Sequence, residues 1–163
     1  MLTIILGDIT KAKKVDYICN AANGIGPMIA GVAGAIKKAG GRMIELEAVK
    51  TCLLQNPKSG DVYVTKAGEL PYKNIVHLVT MKLPGMPSNY KTIEKCLTSL
   101  VTYCRQNSIS KIALPGLGTG VGKLDKKKVS NIYKRILEPV EDIEFVVYGM
   151  DEEFIHSFFR ENE

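Results

Sequence analysis

The chain has 163 residues, of which 45% are hydrophobic and 24% charged, with a net charge of +5. This length suits one domain, residues 1–163, with a core that needs no metal or disulfide staple. The composition is that of an ordinary globular protein, and no stretch nears the roughly 18 uninterrupted apolar residues of a membrane-spanning helix.

Leu2–Leu6 is a short apolar run ending in Gly7-Asp8. No basic segment precedes it, so it reads as a first strand and not as a signal peptide. Asp16–Asn20 is a second strand, and the polar Thr10–Lys14 stretch between them has room for one helical turn. From Gly31 the spacing becomes helical: Val32, Ala35, Ile36 and Ala39 share a face, and Gly40-Gly41 closes it. Met43, Leu46, Val49, Leu53 and Leu54 form a second helical face up to about Gln55. Residues 56–60 (NPKSG) are a turn.

Asp61–Lys66 and Asn74–Thr80 read as strands, and Met81–Pro87 is a loop with two prolines. Ser88 or Asn89 caps a long helix whose buried face is Ile93, Leu97, Leu100, Val101 and Cys104. Lys111–Leu114 is a buried strand that runs into Pro115-Gly-Leu-Gly-Thr-Gly-Val-Gly122. A helix over Asp125–Leu137, a strand over Glu144–Tyr148 and an amphipathic helix over Asp151–Arg160 complete the chain. Strands and helices alternate almost throughout, which predicts a three-layer α/β/α sandwich on a mixed, mostly parallel central sheet.

Cys19, Cys52, Cys96 and Cys104 show no C-x-x-C spacing, and the chain has two histidines. Few zinc ligands are therefore available, and no metal or cofactor is expected. The thiols read as reduced, which points to a cytosolic location. His77 lies inside an apolar strand and reads as structural; His156 reads as exposed. The lysines cluster at 11–14, 37–38 and 123–128. They suit a polyanion such as nucleic acid or a nucleotide diphosphate, although solvated surface is the simpler reading of each cluster. No membrane partner is implied, and nothing requires more than a monomer.

Open α/β sheets bind ligands at the carboxyl ends of their strands. Three segments follow strands here: Gly7-Asp8-Ile9, the Asn20–Asn23 stretch with the small residues after it, and Gly116–Gly122. Glycines at alternate positions let backbone N–H groups approach phosphate oxygens closely. The last loop is neither a Walker A loop nor a dinucleotide fingerprint, since Leu124 follows Gly122-Lys123. Taken singly, each segment is equally well a tight turn.

Together they resemble the macrodomain family. The motifs that carry the resemblance are GDIT from Gly7, DYICNAAN over 16–23 followed seven residues later by GVAGAI from Gly31, and LPGLGTGV over 114–121. They cover nearly the whole chain in the family's order. Ser59-Gly-Asp-Val, Val79-Thr-Met-Lys82 and Tyr90 also resemble the branch containing the terminal ADP-ribose glycohydrolases.

The resemblance implies a cleft for ADP-ribose or an ADP-ribosylated substrate. Asp8 and the Ile9 N–H would meet the adenine, Asn20 would be among the ligand-binding residues, and Asn23 would contact the distal ribose. Gly31 and Val32 would offer N–H groups to the diphosphate from the first loop, and Gly118, Thr119, Gly120, Val121 and Gly122 from the second. Tyr148 would pack against the base.

The chain departs from the family at several positions. Met28-Ile29-Ala30 replaces a glycine-rich stretch, and its side chains would crowd the distal ribose or push the loop outward. Ala33 stands where some relatives carry a catalytic Asp. Gly122 stands where an aromatic residue or an Asp is usual, with Asp125 three residues later. Met81, not Lys82, occupies the slot of the branch's nucleophilic lysine.

The implied activity is hydrolysis of ADP-ribosyl linkages. Either Lys82 attacks C1″ with Asp125 as base, or a water does so on a ribose oriented by Asn23. The alternatives are a non-catalytic ADP-ribose-binding or sequestering module, an ADP-ribose 1″-phosphate phosphatase, and a nucleic-acid or poly(ADP-ribose) binder.

Overall fold

The structure is a computed structural model and describes residues 1–120 and 123–161. Six strands form one sheet: β1 (Leu2–Leu6), β2 (Tyr17–Asn23), β3 (Val62–Thr65), β4 (Asn74–Met81), β5 (Lys111–Pro115) and β6 (Glu144–Gly149). Their spatial order is β1-β6-β5-β2-β4-β3. Every pair is parallel except β3 with β4. The helices are α1 (Gly31–Gly40), α2 (Arg42–Gln55), α3 (Tyr90–Gln106), α4 (Lys126–Leu137) and α5 (Glu152–Ser157), and a 3-10 turn spans Ile9–Lys11.

The burial pattern follows position in the sheet. β4 lies inside the sheet and is buried without a break from Ile75 to Thr80, as a strand covered on both faces must be. β3 is an edge strand and alternates. One face of the sheet packs α3, α4 and α5 around Cys19, Val76, Leu78, Ile112, Leu114, Phe145 and Val147. The other face packs the 3-10 turn, α1 and α2 around Ile18, Ile36, Ile44, Ile75 and Ala113. This is the expected three-layer sandwich. No helix among the described residues is long and apolar enough to cross a membrane.

Two expectations change. The second strand does not stop at Asn20 but continues to Asn23, so the Asn-Ala-Ala-Asn stretch belongs to the sheet. Nor does α2 bury the apolar face expected of it. Met43, Leu46, Leu53 and Leu54 are exposed, Leu53 at 80%, while Ile44, Ala48 and Cys52 face the sheet. The reason is close packing. Gly26 lies so near this helix that a Cβ there would meet Val49 Cα at 2.6 Å and Ala48 C at 2.9 Å. The inward residue at this close approach is the small Ala48, and the i, i+4, i+8 spacing of Ile44, Ala48 and Cys52 sets the buried stripe.

The sheet carries one buried polar chain. His77 on β4 is fully buried and stacks on Tyr63, with ring centroids 4.5 Å apart. Its Nε2 lies 2.8 Å from Thr65 Oγ1 and its Nδ1 lies 3.0 Å from Asn20 Nδ2. Thr65 Oγ1 also donates to the Lys66 carbonyl, so it accepts from Nε2–H, and Nδ1 accepts from Asn20. The histidine is structural, as its apolar flanks imply. All four cysteines are free and buried.

Burial pulls the His77 imidazole down to about 3 from an ordinary 6.5. An unfolded chain takes up this proton near 6.5; the folded chain refuses it until about 3. Stability therefore falls as pH drops below 6.5, by up to about 1.4 kcal/mol per pH unit. Urea denaturation from pH 6.5 to 5 should show this slope in the wild type. His77→Phe keeps the ring against Tyr63 and should flatten the slope, while lowering stability at pH 7 by about 2 kcal/mol through the stranded Asn20 and Thr65 groups.

Candidate functional site: the carboxyl edge of the sheet

Parallel strands bring their carboxyl ends to one edge, and the three sequence segments meet there. β1 ends at Gly7-Asp8, β2 at Asn23, β4 at Met81-Lys82, β5 at Gly116 and β6 at Gly149. Three strand spacings separate β1 from β2, about 14 Å at ~4.8 Å each. The edge is long enough for an extended ligand.

At the β1 end, Asp8 caps the 3-10 turn. Its Oδ1 accepts from Thr10 N at 2.9 Å and from Thr10 Oγ1 at 2.7 Å. Oδ2 and the Ile9 N–H find no partner among the described residues. The Tyr72 hydroxyl braces the turn from below, 2.8 Å from the Ala12 carbonyl and 3.2 Å from that of Thr10. Sequence reasoning missed Tyr72, because no local pattern marks a tyrosine that reaches 60 residues back. Tyr148 is half-buried at the end of β6, and its ring lies beside Gly7, 3.6 Å from where a Cβ there would stand.

The first loop runs from Gly24 to Ala30 and is held from within. Asn23 Oδ1 accepts from Ile25 N at 3.1 Å and Gly26 N at 2.8 Å, and its Nδ2 donates to the Pro27 carbonyl at 2.9 Å. Met28 N donates to Glu45 Oε2 at 2.7 Å, and Lys37 Nζ reaches the same oxygen at 3.2 Å. Met28 itself turns into the core and is 1% exposed, whereas Ile29 is 73% exposed. Of the two outcomes expected for Met28-Ile29-Ala30, crowding by Met28 does not occur; only Ile29 adds a large side chain to the rim. α1 then opens at Gly31, which takes a φ of +59°, and no side chain caps it. The N–H groups of Gly31 and Val32 remain open to a ligand.

The second loop is shaped by the core beneath it. The Tyr133 hydroxyl donates to the Pro115 carbonyl at 2.6 Å, and its ring sits edge-on to Phe154 and Phe158. A Cβ on Gly116 would come within 2.8 Å of Phe154, so only glycine fits there. Leu117 is buried, and Leu124 N and Lys123 N fold back onto the carbonyls of Gly118 and Gly120 at 2.9 and 3.0 Å. The N–H groups of Gly118, Thr119 and Gly120 donate to no acceptor among the described residues. Val121 and Gly122 lie outside the described residues.

Asn20 is 1% exposed in the sheet interior, its amide on His77 and its Oδ1 without a partner among the described residues. Asp125 is the exposed N-cap of α4, accepting from Lys128 N at 2.9 Å, and its own N–H donates to the Tyr90 hydroxyl at 3.1 Å. Lys82 follows a β-bulge: Ala22 pairs with Val79 but Asn23 with Met81, leaving Thr80 as an extra residue. The bulge advances β4 by one residue, so Gly24 N donates to the Lys82 carbonyl at 2.9 Å. No hydrogen bond or ion pair joins Lys82 to Asp125. Among the described residues no cluster of three His, Cys, Asp or Glu could hold a metal.

The family model described as Macro domain matches residues 19–133. The chain belongs to the macrodomain family. This macrodomain is 29% identical to the human ADP-ribose glycohydrolase OARD1 over 91% of each chain. It is 33% identical to the O-acetyl-ADP-ribose deacetylase of Enterobacter cloacae subsp. cloacae, over 98% of this chain and 92% of that one. Among solved structures it is similar to the macrodomain of Thermus aquaticus DarG, with a TM-score of 0.80 and 31% identity, covering 91% of this chain and 97% of that one.

The tie between Glu45 and Met28 gives a pH-dependent test of the first loop. The Met28 N–H, and then Lys37, hold the Glu45 carboxyl below its usual range. Its contribution is complete above about pH 4.5 and is lost as pH falls through the lowered value. Glu45→Gln should therefore melt below the wild type at pH 7, and the gap should close as pH falls through the lowered Glu45 value, below which both side chains are neutral.

Proposed function

We propose that this macrodomain binds ADP-ribose along the carboxyl edge and hydrolyses ADP-ribosyl linkages there. The observation that carries the reading is the row of unmatched groups on that edge: Asp8 Oδ2 and Ile9 N–H at one end, and the N–H groups of Gly31, Val32 and Gly118–Gly120 in the middle. A carboxylate and an N–H side by side suit the amino group and ring nitrogen of adenine. Converging backbone N–H groups, with the positive end of α1 behind them, suit a diphosphate. Tyr148 stands where an aromatic face adds about 0.5–1.5 kcal/mol against the base.

Hydrolysis is supported by the names of two relatives, a glycohydrolase and a deacetylase of ADP-ribose compounds, and by the bulge that brings Lys82 beside Gly24. In this reading the neutral Lys82 amine bonds to C1″ as the bond from C1″ to the target breaks. The departing group takes the proton lost by the amine, with Asp125 as the carrier. Water then cleaves the adduct, releasing ADP-ribose and restoring the amine. Asn23 holds the first loop against the distal ribose. A binding-only module is the second reading, and one observation favours it: the Lys82 ammonium is engaged elsewhere, on Asn56 and Pro57.

Calorimetric titration with ADP-ribose tests the binding half. Asp8→Ala should weaken affinity at least tenfold, about 1.4 kcal/mol. Equal affinity in wild type and variant removes the adenine assignment. For turnover, Lys82→Ala should abolish release of ADP-ribose from a mono-ADP-ribosylated substrate while leaving ADP-ribose affinity within threefold. A substrate that binds and is never cleaved by the wild type leaves the binding module standing.

A further inference from the structure

Lys82 does not project freely from the end of β4. Its side chain runs across Gly24, where a Cβ would meet the Lys82 Cδ at 2.9 Å and the Pro57 carbonyl oxygen at 3.0 Å. Its ammonium ends at the carboxyl terminus of α2, donating to Asn56 Oδ1 at 2.7 Å and to the Pro57 carbonyl at 3.3 Å. Asn56 is the C-cap of α2. It is held left-handed at φ 46° and ψ 58°, and its N–H returns to the Cys52 carbonyl at 2.8 Å. The side chain that receives the lysine is thus fixed by the helix end, not by a flexible loop.

Three features converge on this contact: the β4 bulge that sets the height of Lys82, the bare Gly24 it crosses, and the α2 end with its left-handed Asn56 cap. We propose that Asn56 is the positioning residue for Lys82, holding its amine at the α2 terminus between turnovers and setting the direction from which it enters the cleft. This rests on the reading of Lys82 as the reacting amine.

Asn is suited to the task in two ways. It tolerates the left-handed conformation, and it offers a neutral oxygen, which orients an ammonium without trapping it as a carboxylate would. The other groups around the lysine leave this control with Asn56. From α2 the Cys52 thiol faces it, and burial pushes that thiol up, so it stays protonated. Pro57 contributes a carbonyl and the first loop contributes Gly24, neither of which titrates.

Two substitutions that respect the backbone test the proposal. Asn56→Gly keeps the left-handed C-cap and removes the acceptor; Asn56→Asp keeps the shape and adds a charge. The Lys82 amine is followed by 13Cε NMR titration, assigned with Lys82→Arg, beside the pH profile for release of ADP-ribose from a peptide mono-ADP-ribosylated on glutamate. The titration midpoint should rise in Asn56→Asp and fall in Asn56→Gly. The alkaline-rising limb of turnover should move the same way. At a fixed pH on that limb, Asn56→Asp should lose about tenfold in rate for every pH unit by which the midpoint rises. A merely structural role would leave the midpoint in place in both variants, and an unmoved midpoint overturns the proposal. Moved midpoints with full turnover in Lys82→Ala would instead sink the lysine mechanism, and the positioning role with it, while leaving the contact itself intact.

Discussion

Parallel pairing is the constraint on which the rest of this structure depends. Five of the six strands run the same way, so their carboxyl ends, and the loops that follow, share one edge. Those loops begin where ladder pairing stops, and their N–H groups must find other partners or remain open. In the first loop, Asn23 and Glu45 satisfy Ile25, Gly26 and Met28. The N–H groups left open lie just beyond, at Gly31 and Val32 and at Gly118–Gly120. The candidate cleft is therefore the part of the edge that the chain does not satisfy by itself.

Much of this was legible in the sequence. The alternation of apolar runs and helical spacing carries the layer order, because each element must bury one face or both. The site segments were legible because glycine and asparagine are needed where the backbone turns or approaches closely. Asn89 caps α3, as its type implies.

Other features had no local signal. The buried face of α2 inverts the expectation from residue size, since the close approach of Gly26 rewards Ala48 and Cys52 over leucines. The inward turn of Met28 depends on a pocket assembled from Ile18, Ile36 and Ile44, which are far apart in the chain. Tyr72 and Asn56 act across long sequence separations, and nothing near either residue marks its partner. The Met81–Lys82 offset is likewise a matter of register. An unbroken ladder would set Thr80 opposite Asn23 and Met81 opposite Gly24, but the bulge at Thr80 pairs Met81 with Asn23 and hands the contact with Gly24 to Lys82. The Thr80 hydroxyl on the Ala22 carbonyl, and Ser88 on the Thr80 carbonyl, hold that bulge from both sides.

The proposed function makes the unmatched N–H groups of the carboxyl edge the ligand contacts. Amide-resolved NMR with 15N-labelled protein, titrated with ADP-ribose, tests it most directly. Saturable shifts are expected at Ile9, Gly31, Val32, Gly118 and Gly120, with the β3 edge unmoved. Shifts confined to the lysine clusters, or none at millimolar ligand, would contradict it.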